Sequence, residues 1–544
     1  MHLNSFPVRL ILFLLFVCLL SACQTKKKAH EPSVPLSAQP NIVLIMCDDM
    51  GFSDLGCYGG EIQTPHIDAL AEQGIRFSQF KNTGRCCPSR AALLTGRNQF
   101  AADMGWMTAV DEHRDSYRGQ LSESIPTLAE ILREHNYSTY MSGKWHLTLD
   151  PSYKTKSPEP NGSWPFQRGF NQSYAGLPGG GSYYNVEGLV RNETIIDSFP
   201  DDYYYTNAIT ENAVKFIEGH NPANPLFLYV AHYAPHRPLE APQNRIEACR
   251  KRYEVGYDVL REQRYARLIE KGLILPDHEL PVYEREFNNN RPSWNSLSDQ
   301  KKELWITEMA TYAAMIEIMD DGIGAVVKAT RDKGIYDNTI FLFLSDNGAT
   351  KEGGEISQLA ADLSNTPFRE YKISTYMGGT SSPLIVHYPK HFASINGAIR
   401  TGLTHITDIV PTCLEFAGVE YPPAFKEQPL AAVEGVSLLP TLKGKDTKTR
   451  DLFFQHEQSC AIISGQWKLV RKMLSQPWEL INLDNDPFEQ HDLSSKYPDI
   501  ASKLENKWNL WAVQNNVFPI EKRGWAERIQ HYMRLNPDQD GIDK

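Results

Sequence analysis

The stretch richest in reactive groups is residues 82–97, Asn-Thr-Gly-Arg-Cys-Cys-Pro-Ser-Arg-Ala-Ala-Leu-Leu-Thr-Gly-Arg. Cys86, Cys87, Ser89 and Arg90 crowd the start of a helix-forming run in which Pro88 suits the first turn and Gly96 the stop. The first N–H groups of such a helix lack intrahelical partners and, with the helix dipole, favour an anion; Arg90 adds a forked donor within one turn. The pattern predicts chemistry on an oxyanion beside a thiol. Adjacent cysteines are expected on different faces, so at most one is reactive, and the spacing does not choose between them. The competing reading is a buried cysteine pair ahead of an ordinary helix.

Two other short runs offer oxygen alone. Asp48-Asp49 and Asp346-Asn347 each follow an apolar run, and an all-oxygen donor set suits a hard cation, Ca²⁺ or Mg²⁺. One such pair alone can be a turn or a helix cap. Two pairs at the ends of two buried strands weaken that reading, because clustered carboxylates without a counter-ion repel. Asp54, in the first loop, is read as a supporting residue. Lys144 and His146 stand two apart after a third run and can face one pocket, while His232 and His236 follow a fourth.

Such groups, spread over three hundred residues, need a frame that gathers them. The runs at 41–47, 226–231 and 339–345 are apolar and rich in β-branched or aromatic residues, as interior parallel strands are, with further strands at 75–80, 137–141 and 383–388. Helices are predicted over 65–71, 126–135, 207–218, 247–271, 304–331 and 407–416. Strands that each break off into polar groups describe the carboxyl edge of a mostly parallel sheet, where open α/β folds carry their sites. Residues 149–196, rich in Gly, Pro, Asn and Tyr and including Gly176-Leu-Pro-Gly-Gly-Gly-Ser182, read as long surface loops forming a substrate-facing wall. From residue 441 the character changes to short strands at 451–456, 467–472 and 478–482 and a helix over 500–515. The expected architecture is α/β, with a large mostly parallel central sheet flanked by helices in residues 39–440 and a smaller antiparallel subdomain in 441–544.

Cys86-Cys87-Pro88-Ser89-Arg90 with Leu94-Thr95-Gly96-Arg97 resembles the maturation motif of the type I sulfatases, Cys-x-Pro-Ser-Arg followed by Thr-Gly-Arg. The resemblance implies the alkaline-phosphatase-like fold and a formylglycine generated from Cys86 by a maturation enzyme, with Cys87 as the variable position. It also implies Ca²⁺ in preference to Mg²⁺, held by Asp48, Asp49, Asp346, Asn347 and the oxygen at position 86. It carries Lys144 and His146 onto the family's Lys-x-His pair and His236, in preference to His232, onto its second catalytic histidine. Lys372 matches the lysine that precedes the family's Glu-Gly-Gly, but Met377 stands where that glutamate is usual. The implied reaction is hydrolysis of a sulfate monoester through the formylglycine hydrate and a covalent sulfoenzyme. Arg90 and Lys144 hold the sulfate oxygens, His236 with Lys372 protonates the leaving oxygen, and His146 takes a proton from the second hydroxyl. The resemblance covers nearly all of residues 39–515 and is nearest to the arylsulfatase-like bacterial branch. His456 and Glu457 are given no role.

Composition bounds the rest. A net charge of −11 with no basic stripe argues against nucleic acid as a partner. Nine cysteines scattered over 544 residues make no disulfide framework or zinc spacing. An apolar run at 10–20 behind Arg9 reads as a secretory signal, and Leu20-Ser21-Ala22-Cys23 resembles a bacterial lipobox. The expectation is a signal peptide in 1–22 and a flexible tether in 23–38. Lipoprotein processing would then anchor the chain through Cys23 in the periplasm or cell envelope. The expected substrate is a sulfated carbohydrate or a small aryl sulfate, the aromatic content leaning toward the former. Rival readings are a phosphonate or phosphate ester hydrolase of the same fold and a non-catalytic lipoprotein that binds sulfated glycans.

Overall fold

The computed structural model describes residues 39–150, 154, 158–282, 292–352, 356–445 and 449–535. The signal, lipobox and tether readings fall on residues 1–38 and lie outside the described residues. No helix among the described residues is long and apolar enough to cross a membrane.

A ten-stranded sheet organises the molecule. In chain order its strands are β1 (Asn41–Cys47), β2 (Ile75–Phe77), β3 (Ser138–Lys144), β4 (Gln172–Gly176), β5 (Leu189–Arg191), β6 (Thr194–Ile196), β7 (Leu226–Ala231), β8 (Thr339–Ser345), β9 (Leu384–His387) and β10 (Ala398–Arg400). Their spatial order is β10-β2-β9-β8-β1-β7-β3-β4-β5-β6. The five neighbours from β8 to β4 run parallel, whereas β9, β5 and β6 pair antiparallel. β1, β7 and β8 are buried along their whole length because helices cover both faces, which is why their sequences are continuously apolar rather than alternating. The long helix Asp299–Asp332 turns the stripe Met309, Tyr312, Ile316, Met319 and Ile323 into the core.

Register decides what meets at the carboxyl edge. Cys47 lies opposite Ser345, Met46 and Gly143 both lie opposite Ala231, and Lys144 lies opposite Gly176. The residues that follow these strands therefore emerge side by side.

A second, four-stranded antiparallel sheet follows, β11 (Asp451–His456), β12 (Ser459–Ser464), β13 (Trp467–Arg471) and β14 (Glu479–Asn482), covered by the helix Pro498–Gln514. It shares hydrophobic clusters with the large sheet rather than keeping a core of its own.

Several local expectations differ from the structure. Residues 149–196 are not loops throughout: Tyr174 and Ala175 of β4 are buried by pairing with β3, a tertiary reward invisible in a short, Gly-flanked run. The helix expected over 247–271 is two, Gln243–Arg250 and Tyr257–Glu270, broken where Gly256 adopts φ 91°. Thr64 does not cap the helix Pro65–Glu72; its hydroxyl donates to Asp68 instead. The strand β12 had no sequence counterpart.

Candidate active site

The helix Cys86–Thr95 is buried at every position, and Gly96 ends it at φ 68°, the left-handed conformation glycine adopts without strain. Its N-terminus points at the sheet's carboxyl edge. Arg90, fully buried, binds that edge together: Nε and Nη2 donate to Asp346 Oδ2 at 3.2 and 2.9 Å, Nη1 donates to Lys144 O at 3.0 Å, and Nη2 lies 3.4 Å from Asp48 Oδ2. Lys144 Nζ donates to Asp48 and, at 2.5 Å, to Gly179 O. Lys372 Nζ lies 2.8 Å from Asp49 Oδ1 and 3.4 Å from Glu352 Oε2. His236 Nε2 approaches Asp49 Oδ2 at 3.6 Å while its Nδ1 bonds Arg237 O at 2.6 Å.

All of the residues singled out for metal or catalysis are thus gathered, from segments up to 324 positions apart in the chain. His232 is fully buried, with no hydrogen bond to either ring nitrogen, and burial pushes its pKa down to about 3; His236 is the histidine that faces the site. Asp54 lies behind it, accepting from Gly51 N–H and the Tyr312 hydroxyl at 2.8 Å and pairing with Arg264 at 2.7 Å, a structural role as expected. The two cysteines differ from expectation. Their sulfurs and a His146 ring nitrogen all lie within 4.8 Å of one another, because both open the first helical turn, although Cys87 Sγ also packs 3.3 Å from Met107 Sδ.

The electrostatics ask for an ion. Asp48, Asp49, Asp346 and Asn347 are fully buried, and Asp48 Oδ1 and Asn347 Oδ1 have no hydrogen-bond partner. Burial and the neighbouring Asp48 charge drive Asp346 well above the usual carboxylate range, and burial, against the Lys372 charge, lifts Asp49 to about 6. Arg90, Lys144 and Lys372 pair with the three carboxylates, yet two buried oxygens still lack partners, so the oxygen-rich donor set fits a divalent cation. Asp48, Asp49 and His236 offer ligand atoms within 4.8 Å of one another. At Cys86, burial alone would raise the thiol, but the Cys87 hydrogen bond and the charges of Lys372 and Lys144 outweigh it and stabilise an anion.

Backbone strain concentrates here. Asp49 and His146 sit at φ 65° and 55°, and the β-branched Ile373 at φ 81° is held by its N–H on Gly84 O at 2.8 Å. Gly179 has no room for a Cβ, which would fall 2.2 Å from the His146 ring.

A cavity of about 530 Å³ opens from Cys86, His146, His236 and Lys372 to the surface. Pro178, Gly179 and Gly180 line it, in keeping with the expected substrate-facing wall. Sequence reasoning missed Arg85, Glu352 and Trp525 on its other walls. Arg85 had a signal, its place directly before Cys86; Glu352 and Trp525 had none. Arg85 pairs with Glu352 at 2.6 Å, and Glu352 is held down to about 2 because Arg85 and Lys372 outweigh its burial.

Comparison with known proteins adds the family. The family model described as "Sulfatase" matches residues 40–419, and one described as "N-sulphoglucosamine sulphohydrolase, C-terminal" matches 372–514. An arylsulfatase of Klebsiella aerogenes is 32% identical over 74% of this chain and 91% of its own length. An uncharacterised sulfatase of Schizosaccharomyces pombe is 29% identical over 91% of this chain and 97% of its own. The crystal structure of Ps i-CgsB in complex with k-i-k-neocarrahexaose superposes with a TM-score of 0.65 at 25% identity, covering 93% of this chain and all of that one. With the first of these models spanning well over half of its length and meeting the buried helix that carries Cys86, the chain belongs to the sulfatase family and hydrolyses a sulfate ester.

Proposed function

We propose that this sulfatase releases inorganic sulfate from a sulfated carbohydrate or aryl sulfate at Cys86, in its formylglycine form, with Ca²⁺ held by Asp48, Asp49, Asp346 and Asn347. The observation that carries this reading is the convergence of four buried oxygen-bearing side chains, two with orphaned oxygens, on the N-terminus of the Cys86 helix. An oxygen-rich, buried cage suits Ca²⁺, which takes six to eight oxygen ligands in flexible geometry, better than Mg²⁺, which usually keeps several waters. When bound, the cation supplies positive charge opposite the sulfate oxygens, and the hydrated aldehyde supplies geminal hydroxyls, one to attack sulfur.

The chain's own residues then divide the work. Arg90 fixes Asp346 and Asp48, so its charge supports the oxygen cage and the sulfate end of the pocket together. Lys144 and Lys372 present ammonium groups to the non-bridging oxygens. Burial works against the Lys372 charge, but Asp49 and Glu352 favour it, so the side chain enters as a cation beside His236. His236 commits Nδ1 to Arg237 O and turns Nε2 to the site; it gives a proton to the leaving oxygen only as the imidazolium, a form that burial and the charges of Lys144 and Lys372 oppose and that of Asp48 favours. His146, kept neutral by burial and beside Cys86, accepts a proton at that position. Gly179 and Gly180 let the backbone come close to both histidines.

The glycan bound to Ps i-CgsB favours a carbohydrate ester, and the Klebsiella relative's name an aryl one. Envelope anchoring through Cys23 belongs to the same proposal, supported by the lipobox-like Leu20-Ser21-Ala22-Cys23. Palmitate labelling that survives Cys23→Ser overturns it. Paired assays with the sulfate and phosphate esters of one phenol, beside the mass of the peptide spanning Cys86, test the reaction. Sulfate release with a mass about 18 Da below the thiol form supports it, and a preference for phosphate or an unmodified active thiol overturns it.

A further inference from the structure

The outer half of the catalytic cavity is built by residues that neither the maturation motif nor the metal pairs explain. One wall is the helix Trp525–Leu535, which begins beyond residue 514, where the family matches end. Arg528 fastens this helix: it is 3% exposed, pairs with the buried Glu112 and stacks over the Trp106 ring at 4.0 Å. Trp525 is thereby held at the cavity with its ring 4.9 Å from Trp106, yet it remains 44% exposed. A large indole so exposed at the mouth of a polar pocket offers a flat apolar face to a flat apolar ligand surface.

Opposite charges balance around it. Apart from the catalytic groups, the cavity is lined by the cations Arg85, Lys154 and Arg237 and the carboxylates Asp150, Glu352 and Glu457. Arg85 is paired with Glu352 at 2.6 Å and Lys154 with Asp150 at 2.8 Å. That leaves Arg237 and Glu457. Among the described residues neither side chain makes an ion pair or a hydrogen bond, although Arg85 senses the Glu457 charge. Glu457, half-buried at the β11–β12 turn with φ 49°, aims an acceptor-only group into a site whose reaction concerns an anion. A carboxylate there repels a second sulfate or a uronate, offsetting the draw of the unpaired Arg237, and accepts readily from a hydroxyl.

We propose that Trp525 and Glu457 are specificity-determining residues that select a sugar unit whose only charge is the scissile sulfate, Trp525 stacking on the ring face and Glu457 accepting a hydrogen bond from a ring hydroxyl. The inference rests on the sulfatase reading and narrows its substrate. A cavity of about 530 Å³ is of the size that encloses one or two sugar rings. Discrimination follows from chemistry: a half-buried acceptor that a bound ring shields from water penalises analogues lacking its hydroxyl partner, and a net-neutral wall gives no steering to a polyanion.

The test uses the matured full-length enzyme with a panel of monosulfated neutral sugars, sugars carrying a second sulfate or a carboxylate, and 4-nitrophenyl sulfate. Glu457→Gln and Trp525→Ala are each expected to lower the kcat/KM ratio of the preferred monosulfated sugar over 4-nitrophenyl sulfate about tenfold or more, through KM. Glu457→Gln should also narrow the preference against the doubly charged sugars. The inhibition constant of inorganic sulfate, which occupies only the inner pocket, reports that each variant keeps a folded site. Ratios that stay within threefold, or a parent enzyme that prefers doubly charged sugars or only the aryl ester, overturn the inference while leaving sulfate-ester hydrolysis intact. A matured parent that cleaves no sulfate ester overturns the parent reading instead.

Discussion

Glu489 accepts the backbone N–H of Met377 at 2.7 Å through Oε2, while its Oε1 lies 2.6 Å from Lys468 Nζ, and both charged residues are fully buried. Met377 occupies the position where the related motif carries glutamate, and here a carboxylate reaches the same loop from beyond β14. Gly378 and Gly379 of that loop pack against Gly348, next to Asn347. Removing one partner leaves the other as an uncompensated buried charge. Glu489→Ala should therefore cost about 3–5 kcal/mol, read as a shift in the urea midpoint. A loss below about 1 kcal/mol would show that the pair is dispensable.

Cys86 and Cys87 separate by function. Cys86→Ala should abolish turnover with the melting temperature near that of the parent. Cys87→Ala, which removes the packing on Met107 and the thiol's hydrogen bonds to Trp106 O and Cys86, none of which the formylglycine chemistry uses, should retain turnover within a few-fold. Equal loss in both folded variants would sink the assignment of the nucleophile.

Arg90→Lys is predicted to be severe. One guanidinium serves Asp346 twice and Lys144 O once, and an ammonium cannot span that fork. A fall in kcat/KM of about a hundredfold, or about 2.7 kcal/mol of transition-state stabilisation, is expected in steady-state assays. Near-parental activity would mean that charge alone suffices there.

Metal removal should destabilise as well as inactivate, because Asp48 Oδ1 and Asn347 Oδ1 are then left buried without a partner. Ca²⁺ added back to chelated enzyme should raise the melting temperature with concentration, the stabilisation reaching about 2.7 kcal/mol at a hundredfold excess over Kd. Asp346→Asn should blunt the response. No Ca²⁺-dependent shift in the parent would remove the ion from the proposal.

Acid should weaken the fold by a route separate from the catalytic proton transfers. Burial depresses His232 and His405 to about 3, the latter with help from Arg450, whereas the unfolded chain protonates near 6.5. Below pH 6.5 the unfolded state binds more protons, so stability present at neutral pH is lost as pH falls toward 3, each histidine contributing at most about 1.4 kcal/mol per pH unit. His232→Leu, which orphans nothing because both ring nitrogens already lack partners, should flatten the slope of denaturation free energy against pH by about one proton. An unchanged slope would show that His232 titrates normally.

Much of the site was legible because its groups follow strands whose apolar continuity is itself a signal. Asp48-Asp49 after β1, Asp346-Asn347 after β8, Lys144 at the end of β3 and the loop after β7 could be assigned to one edge before any coordinate was known. Short elements were not legible. β4 has five residues ending in glycine, and only pairing with β3 repays the cost of extending it. Glu352 and Trp525 belong to no motif, and nothing near them in sequence says that Arg85 or Trp106 awaits them.

The sequence by itself pointed to the chemistry: a cysteine in a sulfatase-like motif at a helix N-terminus, paired oxygen donors that suit a cation and candidate histidines, because reactivity resides in residue types and their short-range spacing. Tertiary structure decided which of His232 and His236 faces the cavity, that Glu489 supports the loop bearing Met377, and that Trp525 and Glu457 stand at the mouth. Those outcomes depend on strand register and on packing between segments hundreds of residues apart, where the free energy lies in contacts that no local pattern encodes.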